Sequence, residues 1–273
     1  METHSKPDAY AELYLFLERM YAMMLVCLTA LGVGGATILG TILGLPCKKM
    51  SHRFSDIVLA FAAGVMLSAA ILGLILPAIE REENGGLLVT LCGIFAGAGC
   101  ISLVDRIVPH IHKLIGWEDD IHAHNLHADK LLLFVAAMAI HNFPEGLAAG
   151  VSLGSGDLKT AMLISGGIAL QNIPEGLVTV TPMLAAGFNP RKTFLCGLTT
   201  GIIEIVGTFV GYFAVTLASA VLPFCLAFAG GTMLFVISDE MIPETHDHGN
   251  ERAATYSLLV GFCLMLITDV LLV

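Results

Sequence analysis

Long apolar runs alternate with short polar joins along the whole chain. The runs cover 20–45, 56–79, 85–104, 131–153, 161–187, 193–217, 219–243 and 253–273. Each has the roughly 20 residues that a helix needs to cross a hydrocarbon core of about 30 Å. They predict eight membrane-spanning helices. The last three runs carry intramembrane charges and are less obvious by hydropathy alone. Residues 1–19 are polar and charged, and read as a separate extracytoplasmic segment before an eight-helix domain over 20–273. The first run, of roughly 26 residues, is longer than the apolar core of a signal peptide and reads as a retained helix. Only one join is long, 105–130.

Composition agrees with this pattern. Hydrophobic residues make up 56% of the 273 positions and charged residues 13%, about half the charge of ordinary soluble domains. This is the make-up of an all-α, multi-pass protein of the bilayer. The net charge of −10 disfavours a nucleic-acid partner. The seven Cys show no C-x-x-C spacing and read as small buried apolar residues.

Lys and Arg set the expected orientation. Lys48, Lys49, Arg53, Arg106, Lys113, Lys130, Arg191, Lys192 and Arg252 fall on one side, against Lys6, Arg19, Arg81 and Lys159 on the other. The nine-residue side should be cytoplasmic. That places both termini outside and the 105–130 loop inside the plasma (or inner) membrane.

Two apolar runs are interrupted in the same way, by HNFPEG at 141–146 and QNIPEG at 171–176. Residues four apart share a helix face, so His141 lies with Glu145 and Gln171 with Glu175. Pro144 and Pro174 lack an N–H; they kink their helices and free the carbonyls of Ile140 and Leu170. Gly146 and Gly176 admit a close neighbour. Such groups cannot face lipid and must line a cavity or meet protein. Glu204 lies inside the sixth run, where an unpaired charge costs about 3 kcal/mol. Three carboxylates with no Lys or Arg in these runs call for a cation. An imidazole, carboxylates and amide oxygens form a mixed shell suited to Zn²⁺. Polar helix contact alone would explain one motif more readily than two in register with Glu204. An intramembrane metal-dependent hydrolase is the enzymatic alternative, but no H-E-x-x-H occurs. A metal sensor would usually carry a larger signalling domain.

FAAGVML (61–67) and FAGGTML (228–234) echo each other in helices of opposite direction, as do the two PEG motifs. Inverted repeats of this kind mark transporters, with the site near the midplane. The paired motifs, Glu204 and a His-rich loop resemble the ZIP family of divalent-metal transporters, in particular the prokaryotic branch whose second motif opens with glutamine. The resemblance covers essentially the whole chain. It implies eight helices in a 3+2+3 inverted-repeat arrangement, with the metal site between the fourth and fifth and no enzymatic activity or resident cofactor.

By the same resemblance, His141, Glu145, Gln171 and Glu175 match one metal position. Asn142, Asn172 and Glu204 match a second, with the two motif glutamates shared. Some relatives have Asp at the place of Asn172. Met66 corresponds to the outer entrance and Asp239 and Glu240 to the exit. Asp269 near the end of the last helix could attract cations from outside. Glu244 and His246 follow Asp239 and Glu240 in SDEMIPETHDH, and Asp105, His110 and His112 open the long loop. His122, His124 and His127 complete a tract of five His in 18 residues, a plausible zinc-capturing segment. The expected cargo is Zn²⁺, with Cd²⁺, Fe²⁺ and Mn²⁺ not separated from it by sequence. The family implies an elevator-like movement of one helix bundle against the other. Acid should weaken binding, because neutral His and ionised Glu are the ligand forms. Small-residue faces permit a homodimer.

Overall fold

The computed structural model describes residues 9–47, 50–80, 86–114, 142–185, 188–217 and 219–272. They form eight helices in the expected order: α1 (Ala9–Gly44), α2 (His52–Glu80), α3 (Gly86–Leu114), α4 (142–154), α5 (Leu158–Ala185), α6 (Pro190–Leu217), α7 (Leu222–Thr245) and α8 (Glu251–Leu272). Six of them are long and apolar enough to cross a membrane. Helix α5 has the length, but Gln171, Asn172 and Glu175 lower its apolarity, and α4 is described only from 142. Large apolar side chains point outward, such as Phe95 (76% exposed) and Leu217 (84%), as a lipid-facing surface requires.

Two boundaries differ from the apolar pattern. Helix α1 begins at Ala9, so residues 9–19 are a helical extension of the first span. Helix α3 continues to Leu114, so the long join starts with three further helical turns instead of a loop at 105. Elsewhere local signals set the starts. Ser51 Oγ accepts the Phe54 N–H at 3.2 Å, Asp157 Oδ1 the Lys159 N–H at 3.1 Å and Asn189 Oδ1 the Lys192 N–H at 2.9 Å. These are N-caps that satisfy otherwise orphaned donors.

The helices sort into two groups. In the first, α1 packs on α5 and α6, and α4 packs on α6 through Gly146. In the second, α2 packs on α8 and α3 on α7. Close approach at glycine repeats across the molecule in matched pairs. A Cβ on Gly34 would strike the Gly201 carbonyl, and one on Gly201 the Gly34 carbonyl. Gly64 lies on Leu258 of α8, while Gly231, its counterpart in the FAxGxML echo, lies on Ile94 of α3. The pairing is that of an inverted repeat relating α1–α3 to α6–α8, with α4 and α5 between them.

The two groups meet mainly along α2 and α5, as where Ile164 packs against Gly73, and α8 joins the seam through Met265 against Gly167 of α5. Helices α2 and α7 each widen into a π-helical turn, at Ala69–Ile75 and Ile237–Met241. The Leu76 N–H reaches back to Ile71 O and the Ile242 N–H to Ile237 O, and a proline follows each time. One-turn π segments of this type often sit at functional positions.

A polar clasp closes one end of the second group. Asp56 of α2, 2% exposed, accepts from Asn250 Nδ2 at 2.8 Å and His248 Nδ1 at 3.0 Å. The His248 ring stacks on His52 with centroids 4.4 Å apart. The partners are 192 and 194 residues away in sequence, so the clasp ties the α7–α8 turn to the start of α2. Asp56→Ala removes the acceptor of both bonds, leaving Asn250 Nδ2 only its 3.3 Å bond to the His248 carbonyl, and is expected to cost about 1–3 kcal/mol. Thermal unfolding in detergent checks this, and an unchanged midpoint would show that the clasp adds nothing.

Candidate metal centre

The PEG motifs face each other across α4 and α5. Gln171 Nε2 donates to Glu145 Oε1 at 2.8 Å, so the two helices are joined at the site itself. Glu204 of α6 is completely buried. Its Oε2 accepts from Thr37 Oγ1 of α1 at 2.6 Å, and its Oε1 accepts from Asn172 Nδ2. Asn172 Nδ2 also donates to the Val33 carbonyl at 3.3 Å. Asn142, Glu145, Gln171, Asn172 and Glu175 are likewise buried.

Close helix approach produces this convergence. Gly146 sits on the Glu204 carbonyl and Gly176 on the Thr37 carbonyl, which brings α6 against α4 and α1 against α5 at the level of the motifs. Both approaches exclude any side chain larger than hydrogen. The glycine of each PEG therefore places the carboxylate beside it.

Several buried polar atoms here accept or donate no hydrogen bond among the described residues: Glu145 Oε2, Gln171 Oε1, Asn172 Oδ1 and both amide atoms of Asn142. Each such group costs about 1–3 kcal/mol when left unsatisfied, and a concentration of them calls for an explanation. Three buried carboxylates with unsatisfied amide oxygens beside them have the chemistry of a divalent-cation site. Among the described residues no three His, Cys, Asp and Glu side chains are set to hold an ion alone. His141, first residue of its motif, lies outside the described residues, as do His122, His124 and His127.

The remaining candidates are spread along the second group and its ends. Met66 is fully buried in the apolar core that includes Ala148, Ala149, Ile164 and Ile168 of α4 and α5. Asp269 is half-buried on α8. Asp239 is exposed and Glu240 half-buried, both in the α7 π-helical turn, and Glu244 is exposed one turn later. His246 is already engaged: Nδ1 lies 2.8 Å from the Ile242 carbonyl and Nε2 3.1 Å from Thr255 Oγ1. It braces the end of α7 against α8. Asp105, His110 and His112 lie on the last turns of α3; their side chains fall outside the description.

Thr37 is absent from the set read from sequence, yet a signal for it exists. GGATILGTILG (34–44) and GIIEIVGTFVG (201–211) share glycines and a threonine at the same places. Their spacing of 167 residues is the one that separates FAAGVML from FAGGTML. Thr37 therefore occupies the position that corresponds to Glu204. The equivalence extends to hydrogen bonds: Thr41 Oγ1 donates to Thr37 O and Thr208 Oγ1 to Glu204 O, both at 3.0 Å.

Comparison with known proteins agrees with this chemistry. A family model described as ZIP Zinc transporter matches residues 118–269. The chain is 38% identical to the zinc transporter GufA of Myxococcus xanthus, over 86% of this chain and 94% of that protein. It is 34% identical to the zinc transporter ZIPB of Bordetella bronchiseptica, over 86% and 77%. It is 31% identical to the zinc transporter ZupT of Lysinibacillus sphaericus, over 88% and 94%. These relatives are named as transporters, not enzymes, and give the intramembrane hydrolase alternative no support. A buried cluster of carboxylates and amides where two PEG-bearing helices meet, and similarity along most of the chain, lead to one assignment: the chain belongs to the ZIP zinc transporter family.

Proposed function

We propose that the protein carries Zn²⁺ into the cytoplasm by alternating access, with His141, Glu145, Gln171 and Glu175 as the ligands of the transported ion. The observation that carries this reading is the buried set of Glu145, Glu175 and Glu204 at the contact of α4, α5 and α6, with amide oxygens beside it. The same oxygen and nitrogen donors accept Cd²⁺, Fe²⁺ and Mn²⁺. The ion enters beside Met66, loses water at the motif residues, and leaves past Asp239 and Glu240 towards the histidines of the 105–130 segment. The excess of Lys and Arg on the joins after α1, α3, α5 and α7 supports a cytoplasmic location for that segment.

The moving part is the group α1, α4, α5 and α6, sliding against α2, α3, α7 and α8. Each inter-helix hydrogen bond named above stays within one group: Thr37–Glu204, Gln171–Glu145 and Asn172–Val33 in the first, Asp56–His248 and Asp56–Asn250 in the second. Apolar side chains meet at the seam and would change neighbours without breaking these bonds. Purified protein in liposomes should give saturable zinc entry, and cells expressing it should accumulate zinc. Both should be lost in His141→Ala. A well-folded preparation with no flux would refute the reading.

A further inference from the structure

We infer that the centre holds one divalent ion, because the Asn172 amide and the Thr37 hydroxyl present neutral donors to Glu204 where a second ion would need a further charged ligand. The inference rests on the proposed metal site and adds its capacity. The orientation of Asn172 is settled by chemistry: the Val33 carbonyl can only accept, so the amide end facing it is NH₂. That NH₂ also donates to Glu204 Oε1, and Thr37 Oγ1 donates to Oε2 at 2.6 Å. Each oxygen of Glu204 thus accepts one hydrogen bond from a neutral donor, Thr37 on α1 or Asn172 on α5, where a second carboxylate would be needed to balance another cation. A second cation between Glu204 and Asn172 would meet the positive end of the amide N–H dipole instead of a carboxylate. The free oxygen of Asn172, Oδ1, is the end left for an ion held by the PEG residues.

The repeat explains how Glu204 came to have such a partner. Thr37 and Glu204 are equivalent positions of the two halves, and each lies under the glycine of one PEG motif, Gly176 and Gly146. One half contributes a carboxylate and the other a hydroxyl aimed at it. Charge is therefore supplied on one side only. Aspartate at 172 would reverse this: it removes the N–H donors and adds a negative charge beside Glu204, so that a second cation becomes the natural counterweight.

The test counts ions at equilibrium on full-length protein in detergent, with Cd²⁺ as the probe. Each background is compared with its own Glu145→Ala/Glu175→Ala form, so that ions bound at the loop histidines cancel. The expected loss is one ion per chain in wild type and two in Asn172→Asp. X-ray absorption of the zinc-loaded Asp variant should then add a metal–metal distance of about 3.5–4 Å, absent in wild type. A loss of two ions in wild type overturns the inference while leaving the transport site intact. A loss of one in both backgrounds overturns the role of Asn172. No loss in wild type overturns the site itself. If the Asp variant does not fold, the wild-type count decides.

Discussion

Glu145→Gln should reduce apparent zinc affinity by at least about 100-fold and bring flux at micromolar zinc to background. The substitution keeps size and shape, and its amide oxygen can still accept from Gln171 Nε2, which now lies 2.8 Å from the carboxylate. Packing is therefore preserved and charge alone is removed. Losing even a group that only orients a metal ligand costs about 10–100-fold in affinity or activity, and a charged ligand in a buried site exceeds that. With Glu145 neutral, Glu175 and Glu204 remain, and Glu204 is held by Thr37 and Asn172. The concentration dependence of zinc entry into liposomes reads the effect. A variant with the wild-type half-saturation point would exclude Glu145 as a ligand.

Gly146→Val should lose metal binding and stability together. The new Cβ would enter the Glu204 carbonyl, a backbone atom that cannot rotate away. Helix α4 must retreat from α6 and takes Glu145 with it. Overpacking of this kind costs about 1–3 kcal/mol, and the β-branched side chain adds its own strain in a helix. Gly176→Val should behave in the same way, because Gly176 meets the Thr37 carbonyl of α1 as Gly146 meets that of Glu204. Gly99→Ala is the contrast: a Cβ there meets nothing within 4 Å, so melting point and flux should both hold. Equal behaviour of Gly146→Val and Gly99→Ala would exclude the close helix contact.

The helices and the site were legible in sequence to different depths. Lipid imposes about 20 apolar residues per span, so the centres of all eight helices could be located from composition. Their ends could not. Residues 9–19 mix Glu12, Glu18 and Arg19 with Leu13, Phe16 and Leu17; the charges lower the apolar signal while the backbone remains helical. Glu145, Gln171, Glu175 and Glu204 were visible because polar groups are conspicuous in an apolar run. Thr37 was not, since a threonine can satisfy itself on its own helix and raises no such alarm. The Asp56 clasp was hidden for another reason: its partners come from the far end of the chain and share no local pattern with it.

The apolar seam also constrains the direction of travel. Ile164 of α5 rests in the notch at Gly73 of α2. One turn towards the start of α2, about 5.4 Å away, stand Ala69 and Ala70, small residues buried in the same interface. One turn the other way stand Leu76 and Pro77. Leu76 is exposed there, so the row of small residues continues towards the start of α2, where a sliding branched side chain would meet shallow seats. For the sliding proposed above, the seam thus provides a second resting place one turn away, already in position before any ion is bound.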